Sequence, residues 1–375
     1  MKALIIGAGI GGLCTAIALQ KIGVEVAIYE QATEPYATGA GLTLWANAIH
    51  ALNTMGADDA LDSASIEGMS SIYRWDGQPL SQMESSEFER RYGVASAAVN
   101  RVDFAHALRA LVGENVQYGK RFRCYINHGD SIEAIFEDDT QATADLLIGA
   151  DGIGSGVRQQ MRPTSQPIYR GYPAWRGIVK YDHAHVQGKW GETWGRGARF
   201  GIVPQSRGRV YWFATQNRPA NTPPEHHKTT LETIFGAWHH PIPDLIRATP
   251  DDAILYHDIA DIAPLSHWVD GRAVLLGDAA HAMTPNMGQG ACQAIEDAMV
   301  LAQALKQHPT FADALDAYQA KRIPHTTKVL MQSRRIGQVG QLEHPILVGL
   351  RDTAMRLMPK TAMLQQLDFV LRPQN

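Results

Sequence analysis

The sequence predicts a mixed α/β (α+β) fold: a Rossmann-like domain assembled from separated stretches, an antiparallel-sheet domain, and a helical C-terminal tail. Three observations predict it. Within its first 30 residues the chain runs through an apolar strand, a glycine-rich turn, a helix and a second strand, the opening of a βαβ unit. Two further apolar strands, Asp145 to Gly149 and Ala273 to Leu276, lie far downstream, and each ends in a glycine turn. Between them, from Ile168 to Ala214, short alternating runs separated by Gly, Pro and Asn carry a dense set of aromatics, the pattern of an antiparallel sheet.

Ala3 to Ile6 is a continuous apolar strand, as in a parallel sheet buried on both faces. A helix from Gly11 to Ile22 and a strand from Val24 to Glu30 complete the opening. Gly39-Ala40-Gly41 is a second glycine turn, leading into Leu42-Thr43-Leu44-Trp45 and a helix from about Asn47. Arg101 to Leu111 has helical spacing, with Val102, Ala105, Leu108 and Leu111 along one side. Trp175 to Tyr181 and Arg209 to Ala214 are the clearest alternating strands. Helical patterning returns over Thr229 to Ala248 and Gly290 to Leu305, and Pro324 is expected to kink or break the helix that follows. Pro345 to Leu371 is amphipathic, with Leu, Met and Phe at helical spacing. Packing on the protein's own body is expected of it, with a pocket cap or a membrane contact as the competing readings. The expected division is 1–70, 99–165 and 268–330 for the Rossmann-like domain, 71–98 and 166–267 for the sheet domain, and 331–375 for the tail.

Composition narrows the function. A chain of 375 residues, 45% hydrophobic, holds two domains or one large composite. Its 34 basic and 38 acidic residues give a net charge of -4 with the signs mixed, which argues against nucleic acid as a partner. Cys14, Cys124 and Cys292 form an odd, scattered set without metal or redox spacing, so a reduced, cytoplasmic compartment fits. Cys14 and Cys292 read as small buried hydrophobes. The histidines make no HExxH-like pattern, and no metal is expected. Lys2 with the apolar run Ala3 to Leu19 has the outline of a signal peptide, but its glycines and its continuation into the Val24 strand favour strand, turn and helix. No uninterrupted apolar stretch reaches the ~20 residues that span a bilayer, so no integral membrane segment is expected.

The chemistry lies in two glycine clusters. In Gly7-Ala8-Gly9-Ile10-Gly11-Gly12 the first glycine of the fingerprint, Gly7, permits the tight turn. Gly9 lets the backbone approach a pyrophosphate, and Gly12 lets helix and strand pack closely. The helix N-terminus offers free N–H groups to the phosphates, and Glu30 has the spacing to accept from ribose hydroxyls. This motif does not distinguish FAD from NAD. The second cluster does. Asp278 follows a buried strand and a glycine, at the carboxyl end where ligands of open α/β sheets bind, and suits a ribitol hydroxyl. Pro285, Gly288, Gln289 and Gly290 then open another helix, where Gly288 and Gly290 expose backbone N–H groups and the positive dipole end faces a flavin's pyrimidine edge.

Gly7 to Gly12, the Gly149-Ala150-Asp151-Gly152 turn, and Gly277-Asp278-Ala279-Ala280-His281 with Pro285 through Gly290 resemble the three signature motifs of single-component FAD-dependent aromatic hydroxylases. That is the para-hydroxybenzoate hydroxylase type, and the match spans nearly the full chain. Gly39 to Leu44, Ala282-Met283-Thr284-Pro285-Asn286 and Arg334-Arg335-Ile336-Gly337 make the resemblance greatest to quinolone 3-hydroxylases, then to urate and salicylate hydroxylases. The resemblance implies a GR2-type FAD-binding domain, bound FAD, NADH or NADPH as a transient reductant, and O₂. It further implies hydroxylation of a small aromatic or N-heteroaromatic substrate through a flavin C4a-hydroperoxide. Asp151 and Gly152 would help bind FAD and the reductant, and Arg101 would reach the flavin's ribitol and phosphate region. Gly41, with Gly39, would give the flavin room to swing. His281 is read as a structural hydrogen-bonding residue. A second complete GxGxxG and the WxWxIP motif of flavin halogenases are both missing from the sequence.

On the substrate side, Arg199 and Tyr211 match the positions that polarise substrate and contact flavin in urate-hydroxylase-like members. A surface arginine and a packed strand tyrosine is the competing reading. Thr43, Trp45, Trp175 and Phe213 are candidate pocket walls, with core packing as the alternative for each. The expected protein is a monomer or homodimer. A dehydrogenase or epoxidase of the same fold and a non-catalytic flavin-binding module are the rival functions.

Overall fold

The computed structural model describes residues 1–35, 39–61, 69–182, 186 and 190–372. Strand β1 (Lys2–Ile6) lies inside a six-stranded sheet ordered β17 (Val269–Asp270), β18 (Ala273–Leu275), β11 (Leu146–Gly149), β1, β2 (Glu25–Tyr29), β7 (Val116–Gln117). All neighbours pair in parallel except β17, an antiparallel edge strand. Ala3 to Ile5, Leu146 to Ile148 and Ala273 to Leu275 are completely buried, which is why these strands are uniformly apolar rather than alternating. Helix α1 (Ile10–Lys21) crosses from β1 to β2 and packs on α4 (Arg101–Val112) and α9 (Gly290–Gln307). The buried face of α4 differs from the expected one. It is Phe104, Leu108 and Val112, while Leu111 is exposed. Phe104 carries the largest apolar area of the i, i+4 series and turns that stripe inward.

A small antiparallel sheet, β10 (Gln141–Ala144), β9 (Ile132–Phe136) and β8 (Phe122–Asn127), lies beside α5 (Gly156–Met161). Strand β3 (Gly41–Leu44) pairs antiparallel with β6 (Ala97–Asn100), and α2 (Ala46–Met55) follows it onto α9.

The aromatic region forms a seven-stranded sheet in the order β16 (Leu255–Asp261), β12 (Ile168–Lys180), β15 (Arg209–Gln216), β14 (Ala198–Gln205), β13 (Gly191–Trp194), β4 (Met69–Arg74), β5 (Pro79–Glu84). Only β13 and β4 pair in parallel. The pleat sorts its side chains. Trp175, Phe200, Ile202, Val210 and Trp212 pack against α6 (His227–Phe235) and α7 (Ile242–Ala248). Ala174, Arg176, Arg199, Val203, Tyr211, Phe213 and Thr215 face the other way and line a cavity. Helix α3 (Ser85–Tyr92) leads out of β5.

After β18 come the single turn α8 (Asp278–His281), then α9, then α10 (Phe311–Gly340), a helix of 30 residues with Pro324 inside it. Of the kink or break expected at Pro324, the break does not occur: the helix runs on through it and past residues 330 and 331. Tertiary bonds outweigh the proline penalty of about 3 kcal/mol: Arg322 Nε is held by Asp297 Oδ1 at 2.6 Å and Ser333 Oγ by the Thr284 carbonyl at 2.6 Å. The tail is two helices, α11 (Pro345–Leu357) and α12 (Lys360–Leu371). Leu364, Val370 and Leu371 of α12 join a cluster with Phe88, Tyr92 and Val329. Helix α11 exposes Ile346, Leu350 and Leu357 at 67%, 62% and 77%, but its other face lies against β5 and buries Arg351, which donates to the Gly340 and Gly195 carbonyls at 3.3 and 3.2 Å, so both tail helices pack on the protein's own body. Among the described residues no helix is long and apolar enough to cross a membrane.

Candidate active site

A cavity of about 340 Å³ lies between the carboxyl ends of β1, β11 and β18 and the inner face of the seven-stranded sheet. Gly9, Ile10, Gly11, Gly152, Asp278, Pro285, Gly288 and Gly290 form one wall, and Arg176, Arg199, Val203, Tyr211 and Phe213 the other. Gly41, Thr43 and Arg101 close a side.

The three fingerprint glycines do different jobs. Gly7 has φ +106°, and a Cβ there would fall 2.5 Å from the Ala150 carbonyl oxygen. At Gly12 a Cβ would fall 2.0 Å from the Gly7 carbonyl oxygen, so this glycine is required by the approach of α1 to the end of β1. Gly9 is required by neither. Its backbone, φ -72° and ψ 179°, is open to any residue, and a Cβ would meet nothing within 4 Å. Only something occupying the cavity would need it small. Glu30 lines a separate cleft of about 30 Å³ with Glu34, His106 and Arg109. Its carboxylate accepts from Ala8 N at 2.8 Å and Ala32 N at 2.9 Å, leaving acceptor capacity on both oxygens.

The second cluster rests on a buried polar network that sequence reasoning missed. Asp297, on α9, accepts from the Gly277 backbone N–H at 3.0 Å, lies 2.6 Å from His281 Nε2, and accepts from Arg322 Nε at 2.6 Å. Burial raises its pKa, but the neighbouring His281 and Arg322 outweigh that and hold it down at about 2. Asn47 Nδ2 donates to Glu296 Oε2 at 3.1 Å and to Gln289 Oε1 at 3.0 Å. This network fixes the Gly277 turn, from which Asp278 projects into the cavity, and the start of α9. His281 is thus a structural partner, as expected. Gln289 turns its side chain inward, while its neighbours Gly288 and Gly290 face the cavity.

On the sheet side, strand register decides who meets whom. Arg199 lies beside Thr215 and Gly201 beside Phe213, and Gly201 leaves room for that ring: a Cβ would fall 2.0 Å from Phe213 Cε1. Tyr211 lies against Gly41, where a Cβ would fall 2.4 Å from Tyr211 Cγ. Burial raises the Tyr211 phenol's pKa, with Arg176 and Arg101 pulling it back. Arg199 is buried and hydrogen-bonded to Asn286 Oδ1, lies 3.4 Å from Glu192 Oε2, and stacks over Tyr172 at 5.8 Å. The Asn286 amide nitrogen, with two hydrogens to donate, lies 2.9 Å from each of Tyr172 Oη, Thr284 Oγ1 and the Ser333 carbonyl oxygen. The surface-arginine alternative is therefore removed.

Three expectations are corrected. Trp175 is completely buried in the cluster behind the sheet, its Nε1 donating to His227 Nδ1 at 3.1 Å; alternation sends Ala174 and Arg176 to the cavity and Trp175 away from it. Trp45 packs on Phe88 with ring centroids 5.7 Å apart and does not line the cavity. Asp151 points its carboxylate at the start of α5, accepting from Ser155 Oγ at 2.5 Å and Val157 N at 3.2 Å, and only its neighbours Ala150 and Gly152 reach the cavity. Conversely, Arg176, Glu192 and Asn286 were missed as cavity residues. Two-residue alternation from Phe213 and its partner strand would have found Arg176.

The family model described as "FAD binding domain" matches residues 1–333. The chain belongs to this FAD-binding family. Aurachin C monooxygenase/isomerase from Stigmatella aurantiaca is 39% identical over 96% of this chain and 94% of its own length. The 2-heptyl-3-hydroxy-4(1H)-quinolone synthase of Pseudomonas aeruginosa is 33% identical over 96% and 95%. The crystal structure of Klebsiella pneumoniae HpxO complexed with FAD and uric acid superposes with a TM-score of 0.94 at 30% identity, covering 100% of this chain and 97% of that one.

As a member of this FAD-binding family, the protein is an FAD-dependent enzyme, and its cavity suits that cofactor on its own geometry. Gly9 is small where nothing in the protein demands it. Neither α1 nor α9 has a side-chain N-cap, so their first N–H groups are free for ligand oxygens. Asp278 is exposed at the carboxyl end of β18, where a ribitol chain would need an acceptor.

Proposed function

We propose that this protein is an NAD(P)H-consuming monooxygenase that hydroxylates a small aromatic or N-heteroaromatic ring. One observation carries the reading: the glycine wall suited to FAD and an aromatic wall holding a buried, oriented arginine enclose the same cavity. Bound FAD would take hydride from the pyridine nucleotide and activate O₂; the protein's part is binding, orientation and exclusion of water.

In this reading Gly9, Ile10, Gly11, Gly152, Gly288 and Gly290 offer backbone contact to FAD. Asp278 and Glu30 accept from its hydroxyls, and Arg101 reaches its phosphate region. Gly7, Gly12, Asp151 and Gln289 support these from behind. Arg199 donates to an oxygen of the substrate, favouring the electron-rich form of the ring, while Tyr211, Phe213 and Thr43 orient it. Residues 1–70, 99–165 and 268–330 would form the FAD domain. A cytoplasmic monomer or homodimer with no nucleic-acid partner completes the proposal; three free cysteines support the compartment, and the net charge of -4 the absence of nucleic acid.

The test is NADH and NADPH oxidation with O₂ uptake and peroxide detection across phenols, quinolones, purines and salicylates. A compound that accelerates both without peroxide is the expected outcome. Turnover of substrate without O₂ uptake would favour a dehydrogenase, and no oxidation of either nucleotide a binding module.

A further inference from the structure

Three guanidinium groups line the cavity: Arg101, Arg176 and Arg199. Arg199 is held by Glu192 and Asn286, and Arg101 is assigned above to FAD. Arg176 is left over. It is half-buried in β12 and has no hydrogen-bond or ion-pair partner among the described residues. Its strand neighbours offer none, since the register puts Phe213 on one side and Leu255 on the other. Its charge is felt locally. Together with Arg101 it pulls the buried Tyr211 phenol down, and it adds to the burial that lowers the His257 imidazole. Of the cavity's two carboxylates, Glu192 already accepts from Trp194 Nε1 at 2.8 Å and faces Arg199, and Asp278 belongs to the FAD wall. An unpaired, partly desolvated guanidinium is unfavourable until an anion reaches it, and its planar fork matches phosphate oxygens.

The described residues contain one parallel nucleotide-type sheet, and its glycine motif is taken by FAD. A pyridine dinucleotide brings its own anionic pyrophosphate and must find cations elsewhere. We propose that Arg176 is the docking cation for the pyrophosphate of the reduced pyridine dinucleotide on the sheet wall of the cavity. This rests on the monooxygenase reading. The same anion-binding chemistry could be met by a carboxylate on the aromatic substrate, and the experiment separates the two.

The FAD-loaded Arg176→Gln and Arg176→Lys proteins are titrated calorimetrically with NAD⁺, NADP⁺ and salicylate. They are also bleached anaerobically with increasing NADH or NADPH. Losing a charge-assisted contact should raise the dinucleotide Kd, and the concentration for half-maximal bleaching, about tenfold or more in Arg176→Gln. Arg176→Lys should recover part of the loss. Inorganic pyrophosphate should compete with the dinucleotide in the wild type and fail to do so in Arg176→Gln. FAD content per chain reports folding; if Arg176→Gln loses FAD, Arg176→Lys carries the test with a several-fold rise. Unchanged dinucleotide affinity overturns the proposal, as does a loss confined to salicylate, which would assign Arg176 to the substrate. Failure of NADH and NADPH to bleach even the wild type would overturn the monooxygenase reading as well.

Discussion

Gly9 and Gly12 stand three residues apart in one motif, and the structure predicts that the same substitution fails differently at each. In Gly12→Ala the new methyl starts 2.0 Å from the Gly7 carbonyl oxygen, with Ile5 Cγ2 at 3.4 Å. Side-chain carbons do not approach within 3.0 Å, so α1 must retreat by about 1 Å from a backbone atom that cannot rotate away. Behind α1 lies α9, and Leu13, Cys14 and Ala16 are buried, so there is no slack. Overpacking of this kind costs about 1–3 kcal/mol, and the upper end applies because the clash is with backbone. Gly9→Ala meets no protein atom and needs no unusual dihedral. Its cost falls on FAD, about 1.4–2.8 kcal/mol or 10- to 100-fold in Kd. The assay is urea unfolding of each apoprotein followed by tryptophan fluorescence, with FAD affinity read from quenching of flavin fluorescence. Gly12→Ala should lose about 3 kcal/mol as apoprotein, whereas Gly9→Ala should unfold like wild type and bind FAD weakly. Equal apoprotein losses, or wild-type FAD affinity in Gly9→Ala, would refute the division of labour.

Asp297→Asn should cost about 3–5 kcal/mol of stability, because the buried Arg322 loses the nearer of its two carboxylates and keeps only Glu296 at 3.7 Å; near-wild-type unfolding would show the network to be dispensable. Because the Asp297 pKa is lowered from 3.8 to about 2 in the fold, its contribution, about 2 kcal/mol, is complete above pH 3.8 and is lost as pH falls towards 2. The acid limb of the stability profile should therefore be shallower in Asp297→Asn, and identical slopes would argue against the assignment. Arg199→Gln should weaken binding of an oxygen-bearing substrate by 10-fold or more while FAD content stays unchanged, as read from the flavin spectrum with and without substrate. Trp175→Phe should cost about 1–2 kcal/mol through the lost bond to His227 and leave substrate affinity alone; altered substrate affinity would return Trp175 to the cavity.

The parallel sheet, the βαβ opening and the two glycine turns were legible in the residues alone. These are local features: a strand buried on both faces must be apolar throughout, and a turn at positive φ or beside a carbonyl must be glycine. The sequence also marked Arg199, Tyr211, Thr43 and Phe213, all of which line the cavity. Which face of each aromatic strand looks inward follows from strand pairing across the sheet. A shift of one residue exchanges the two faces, so Trp175 and Arg176 change places according to pairing with β15 and β16, which the local pattern does not state. The Asp297–Arg322–His281 network joins residues 25 and 16 positions apart, and Asn47 reaches Glu296 across 249; no periodicity records such partners. Pro324 is the same lesson in reverse. Its local preference is to stop a helix, yet Asp297 and Thr284 hold the chain on either side, so α10 continues and carries Ser333 and Gly340 up to the arginine wall of the cavity.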